Sequence, residues 1–223
     1  MILNMSKITI LLTTTVHIHN HKCYLHQTKW EERKNTYLKS IQQWLQKTNF
    51  NIVLVENSGY KFKELEDLLN KYKSRFEMIL FSERELDEAK FLNNNNSKGA
   101  SEIFSINYAY QKSSLLQNTE FIIKVTGRYF IPELQEYLAN FNISTYDGLT
   151  QNDINKCEIV GCHAKHFKNV FDNNLLDEHG NYMGHVEFVY RYRLSKYPNV
   201  IKCKIFTIEP TQRGGTPEIY SYL

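Results

Sequence analysis

Thr13, Thr14 and Thr15 close one apolar run of the chain, Glu56, Asn57, Ser58 and Gly59 close a second, and Lys124, Thr126, Gly127 and Arg128 close a third. Hydroxyls, an amide, a carboxylate and two cations therefore stand where buried segments give way to polar ones. If the runs are parallel strands of one sheet, their carboxyl ends share a rim, which is where open α/β sheets hold ligands. That mixture suits a nucleotide. Polar residues also cap strands and fill turns for purely structural reasons, and that account competes for each of them singly. Lys124 and Arg128 in particular can either neutralise a diphosphate, Arg as a bidentate fork, or form an internal ion pair with Glu102 or Glu56.

Other residues carry chemistry by position. Lys98 stands beside Gly99 where a helix should start, adding a cation to free backbone N–H groups; the competing reading is a solvated lysine. Glu187 lies in GHVEFVYRYRL (184–194), where Val186, Val189 and Tyr190 would bury a helix and hold its carboxylate in a drier setting, suited to taking a proton. The alternative is a surface glutamate. Asp147 in TYDGL (145–149) is the reserve, as base or metal ligand. In HIHNHKCYLH (17–26), alternate residues of an extended chain share a side, so the imidazoles of His17, His19 and His21 could meet one metal ion. A polar loop is the preferred reading there. QRGGTPEIY (212–220) lacks the strand and lysine spacing of a P-loop and reads as an ordinary tail turn, although it could fold back over a phosphate.

These residues need elements to position them. KITILLTTTV (7–16) is continuously apolar and β-branched, the pattern of a strand covered on both faces. Trp30, Tyr37, Leu38, Ile41, Trp44 and Leu45 recur at helical spacing over 28–47. A second strand (51–60), a helix (61–75), a third strand (77–81), a polar surface loop (82–97), a helix from Lys98 and a fourth strand (120–125) follow. A short helix then carries Pro132 in its first turn. This alternation implies βαβ units. The remainder is less regular: segments at 143–149 and 157–162, helices near 164–171 and 184–195, and a late strand, VIKCKIFTI (200–208).

Composition narrows the class. Hydrophobic residues make up 42% and Gly plus Pro only 13 of 223, which excludes a collagenous or disordered chain. Lys plus Arg exceed Asp plus Glu by 27 to 24, too small an excess for a nucleic-acid footprint, so no nucleic-acid partner is expected. Four cysteines without a CxxC pair read as free thiols. The apolar start is too short and Thr-rich for a secretion signal, and no window approaches a membrane span, so a cytoplasmic protein without a transmembrane segment is expected.

The trio ENSGY (56–60), KGASE (98–102) and KVTGRYF (124–130), in this order and at these separations, resembles a family of small GT-A-type glycosyltransferases from bacterial surface-polysaccharide gene clusters and large DNA viruses. The likeness covers residues 7–131 and, more weakly, the segment to Leu194. It implies a GT-A-like (Rossmann-like) three-layer sandwich, a mostly parallel central sheet with helices on both faces. Residues 1–223 would be a single domain, 1–131 the nucleotide-sugar-binding half and 132–223 the acceptor-side half. The implied reaction moves a sugar from a nucleotide-diphosphate donor to a hydroxyl of a glycan or other acceptor, inverting, with Glu187 as base. Thr13, Thr14, Thr15, Glu56, Asn57, Ser58, Lys98, Glu102, Lys124, Gly127 and Arg128 would bind the donor. Most such enzymes hold a divalent metal on a DxD motif. KVTGR stands in its place here, so no metal or other cofactor is expected to be required. The alternative is a non-catalytic protein of the same fold that binds a sugar nucleotide or glycan.

Overall fold

The computed structural model describes residues 5–18, 26–153 and 155–223. Its centre is a seven-stranded sheet of β1 (Ile8–Thr14), β2 (Asn51–Glu56), β3 (Phe76–Leu80), β4 (Phe121–Thr126), β5 (Gly148–Thr150), β6 (Ile159–His163) and β7 (Val200–Lys202), in the order β3-β2-β1-β4-β6-β5-β7. β6 alone runs against the others. Every residue of β1 is buried, as a strand covered on both faces requires.

Strand parity sorts the side chains into two layers. Ile8, Ile10 and Leu12 face α1 (Trp30–Lys47), against Tyr37, Ile41, Trp44 and Leu45. Leu11, Val53, Val55 and Ile122 face the other layer, with Ile103, Phe104 and Ile106 of α3 (Lys98–Lys112). Shorter helices complete the sandwich: α2 (Glu66–Lys71), α4 (Ser114–Gln117), α5 (Leu134–Leu138), α6 (Phe167–Val170) and α7 (Val186–Leu194). Ser97 caps α3, its hydroxyl accepting from the Ala100 N–H. No helix among the described residues is long and apolar enough to cross a membrane, and Cys157, Cys162 and Cys203 are free thiols.

Four elements differ from their expected form. Trp30 is 40% exposed rather than inward-facing; Arg33 takes a buried place on that helix instead. The segment 82–97 is not simply a surface loop, because Glu83, Ala89 and Leu92 are buried. Pro132 precedes α5 rather than lying in its first turn. The run 200–208 breaks in two: β7 pairs with β5, whereas β8 (Thr207–Gln212) leaves the sheet to form a hairpin with β9 (Ile219–Tyr222).

Candidate functional site

Beyond the carboxyl ends of β1 and β4 lies a cavity of about 600 Å³. Its wall contains Thr13, Thr14, Thr15, Asn57, Lys98, Glu102, Lys124, Arg128 and Glu187 from the residues singled out in the sequence. It also contains Arg213, Gly214, Gly215 and Thr216 of the tail turn, which reads from sequence as an ordinary turn, and residues given no site role from sequence, among them Arg33, Tyr37, Glu83, Ser101, Cys157 and Glu158.

The first strand's rim is tied down by its neighbours. Thr13 Oγ1 donates to Glu102 Oε2 at 3.3 Å, Thr14 Oγ1 lies 2.9 Å from Val55 O and 3.0 Å from Glu56 Oε2, and Thr15 Oγ1 donates to Asn57 Oδ1 at 2.7 Å. Arg33 reaches from α1 to Thr15 O (2.8 Å) and Gln27 O (3.1 Å), and donates to the Tyr37 hydroxyl at 2.9 Å. Asn57 in turn donates to Glu83 Oε2 at 3.3 Å, and Ser101 of α3 donates to Glu83 Oε1 at 3.0 Å. A buried glutamate in a polar loop is thereby held between β2 and α3.

Glu56 and Ser58 are placed differently from expectation. They do not line the cavity. The fully buried Glu56 carboxylate accepts from Val16 N (3.2 Å), Ser58 N (2.8 Å) and the Ser58 hydroxyl, while Ser58 Oγ accepts from His17 N at 2.9 Å. This is a polar knot that fixes the turn after β1. Burial pushes the Glu56 carboxyl up to about 7, against the downward pull of the Ser58 and Thr14 hydrogen bonds.

Lys124 also departs from the expected role. It shares the parity of Ile122 on β4 and so faces α3, where its ammonium meets Glu102 Oε1 at 2.8 Å. Its other donors go to Cys157 O (2.6 Å) and Thr126 Oγ1 (3.4 Å). With its ammonium committed to one ion pair and two hydrogen bonds, Lys124 lends the cavity its field rather than a free contact. Burial, the largest influence, disfavours its charge, but Glu102, Cys157 and Glu158 together outweigh it and its pKa ends raised. The ion pair weighed as the alternative for Lys124 is thus the observed arrangement. Gly127 is another correction. A Cβ there would lie 2.5 Å from Thr14 Cγ2 and 2.8 Å from Thr13 O, so glycine serves the close approach of β4's end to β1, not the approach of a ligand.

Arg128 is different. It has no carboxylate partner among the described residues, and its buried Nε lacks a hydrogen-bond acceptor. The tail turn covers it: a Cβ on Gly214 would come within 2.5 Å of an Arg128 Nη. That turn is held down by the His26 N–H, which donates to Gly214 O at 3.0 Å, and it brings Arg213 in, with Nε 3.5 Å from Glu158 Oε1. Residues 213–216 of the tail turn are therefore part of the cavity wall, and contacts with residues distant in sequence, His26 and Glu158, hold them there.

Gly99 joins the two remaining groups. A Cβ at Gly99 would sit 2.8 Å from Val186 Cβ, so its absence lets the first turns of α3 and α7 touch. Lys98 and Glu187 thereby share the cavity. Burial lowers the Lys98 pKa and the Arg128 cation lowers it further, while Glu187 opposes both. Glu187 is half-buried, between buried Val186, Val189 and Tyr190, and its carboxylate makes no hydrogen bond or ion pair among the described residues. It is available to accept a proton.

Asp147 lies elsewhere. Its carbonyl accepts from His163 N, and His163 pairs with Phe121 at the amino end of β4, the edge opposite the cavity. There it bonds His166 Nε2 at 2.9 Å and does not belong with the other candidates. His19, His21 and Cys23 fall outside the described residues. Among the described residues no cluster of three or more His, Cys, Asp or Glu side chains could hold a metal ion. At the end of β4, Glu102 already holds the Lys124 ammonium and Arg128 follows, so the residues present there do not fit a divalent cation.

No family model matches the chain, and no curated protein sequence matches it. Solved structures do resemble it. The glycosyltransferase GlyE from Streptococcus pneumoniae TIGR4 aligns over 90% of this chain and 46% of its own, at 7% identity and a TM-score of 0.51. A protein from Desulfovibrio desulfuricans G20 assigned as a nucleotide-diphospho-sugar transferase aligns over 89% of this chain and 80% of its own, at 16% identity and TM-score 0.48. A glycosyltransferase involved in glycosylation of the major capsid of PBCV-1 aligns over 88% and 82%, at 12% and 0.47. The chain spans about half the length of GlyE. The mostly parallel seven-stranded sheet with helices on both faces is the α/β architecture of the GT-A type, shared with GlyE.

Proposed function

We propose that this chain is a glycosyltransferase that moves a sugar from a nucleotide-diphosphate donor to an acceptor hydroxyl. One observation carries the reading: the Arg128 guanidinium, whose buried Nε lacks an acceptor among the described residues, and the Glu187 carboxylate, which has no hydrogen bond or ion pair among them, line one cavity at the carboxyl ends of β1 and β4. Arg128, with Lys98 and Arg213 beside it, supplies cations for the two phosphates. The Thr13–Thr15 rim and Asn57 would flank the nucleoside side. Residues 1–131 would then supply most of the donor-binding half of one domain, joined by the Arg213–Thr216 turn, and the rest of 132–223 the acceptor-side half.

In the reaction the acceptor oxygen bonds to the anomeric carbon while the bond from that carbon to the β-phosphate oxygen breaks. The nucleoside diphosphate leaves with the electron pair, and the acceptor proton passes to Glu187. Attack from the face opposite the leaving group gives inversion. Charge on the departing diphosphate is met by arginine and lysine, and no step is routed through a metal.

Calorimetric titration of nucleoside diphosphates and chromatographic assay of sugar transfer or slow donor hydrolysis test the reading. Glu187→Gln is expected to abolish turnover while donor binding persists; normal turnover in this variant removes Glu187 as base. A second reading, a non-catalytic binder of sugar nucleotides or glycans, draws on the Lys124–Glu102 pair standing where a metal motif would serve catalysis. Tight nucleotide-sugar binding with no hydrolysis and no transfer would select it.

A further inference from the structure

A second cavity, about 220 Å³, lies between α7 and the β5–β6–β7 side of the sheet. It shares two wall residues, Cys157 and Glu187, with the larger cavity. The rest of its wall is largely apolar, with Ile159, Val160, Leu194 and Val200 contributing. Its cations are already answered: Lys156 faces Asp153 at 3.7 Å and Arg191 donates to Asn155 Oδ1 at 3.1 Å. Beside the half-buried Glu187 carboxylate, one fully enclosed hydroxyl remains open. The Tyr190 side chain is 2% exposed, lines this cavity, and its hydroxyl has no hydrogen-bond partner among the described residues.

A buried hydroxyl without a partner is costly, and a ligand atom that bonds it relieves the cost. An apolar pocket with one such hydroxyl selects an apolar group carrying a polar atom. We infer that this cavity is the acceptor subsite and receives an apolar, aromatic or alkyl portion of the acceptor, with the Tyr190 hydroxyl bonding a polar atom next to it. The shared Glu187 then stands where the acceptor's reacting hydroxyl passes from the small cavity into the large one. The inference rests on the glycosyltransferase reading for the chemistry, but the binding it predicts does not.

Saturation-transfer NMR of the full chain, with phenyl β-glucoside and methyl β-glucoside as probes, tests it. The phenyl glucoside should bind at least tenfold more tightly than the methyl. Tyr190→Phe should weaken phenyl glucoside binding about tenfold without lowering the melting temperature, since it removes an unanswered hydroxyl. Ser195→Trp, at the exposed rim, should block binding by filling the mouth. Nucleoside diphosphate affinity should be unchanged in both variants. Equal affinity of the two glucosides for the parent protein, or a phenyl glucoside affinity that neither variant moves, overturns the inference. Phenyl glucoside binding without any nucleoside diphosphate binding would instead overturn the transferase reading and leave this cavity standing.

Discussion

Replacing Arg128 by Met separates ligand binding from folding. The guanidinium lines the cavity, has no carboxylate partner among the described residues, and keeps a buried Nε without an acceptor. In the free protein its charge is met by Tyr37 and Tyr129 rather than by a carboxylate among the described residues, so removing it should move the melting temperature little. In the nucleotide complex it should make at least one charge-assisted hydrogen bond, worth roughly 1.5–3 kcal/mol. The loss corresponds to about 10- to 150-fold weaker binding of a nucleoside diphosphate. Arg128→Lys keeps the charge but not the planar fork and should fall between the two. Lys124→Met is the control: it leaves Glu102 facing a buried, uncompensated site, which typically costs 3–5 kcal/mol of stability. Calorimetry for affinity and differential scanning for stability read both effects. If Arg128→Met binds within twofold of the parent, or if it unfolds early while Lys124→Met does not, the division of labour between these two cations is wrong.

The Glu56 carboxyl, raised by burial to about 7 against 4.5 in the unfolded chain, makes stability pH-dependent in a definite direction. Between those values the unfolded chain releases this proton first, so stability falls as pH rises through the window, by up to about 3 kcal/mol. Melting curves across pH 4.5–7.5 should therefore descend more steeply for the parent than for Glu56→Gln; parallel curves would refute it. Gly127→Ala should lower the melting temperature by several degrees, because the added methyl meets Thr14 and the Thr13 carbonyl and overpacking costs about 1–3 kcal/mol. A variant that melts normally but binds nucleotide poorly would return Gly127 to a ligand-approach role.

The architecture was legible where burial is two-sided and local. β1, β2 and β4 are continuous apolar runs because both faces are covered, and α1 shows its stripe because only one face is. The break in 200–208 was not legible: Val200–Lys202 reads the same as a longer strand, and only pairing with β5 fixes where it stops. The exposed Trp30 and buried Arg33 invert the hydropathy rule, since Arg33 has three polar partners waiting, whereas Trp30 lies against His17, Tyr60 and Lys34 and stays 40% exposed.

The site follows the same logic one level up. Residue type at the strand ends indicated that a charged rim would form, but not which charges would stay free. That depends on parity and on the facing helix: Lys124 points to α3, finds Glu102 and is consumed, whereas Arg128, beyond the strand end, meets tyrosines and a glycine turn and no carboxylate among the described residues. The same argument explains Glu56 and Glu187. Both follow apolar residues, yet Glu56 is enclosed by N–H groups of the turns after β1 and β2, and Glu187, at the first turn of a helix abutting Gly99, is left without a partner among the described residues. A polar residue is available for chemistry when the elements around it leave its hydrogen bonds unmade, and that is a property of the assembled sheet and helices rather than of any window of sequence.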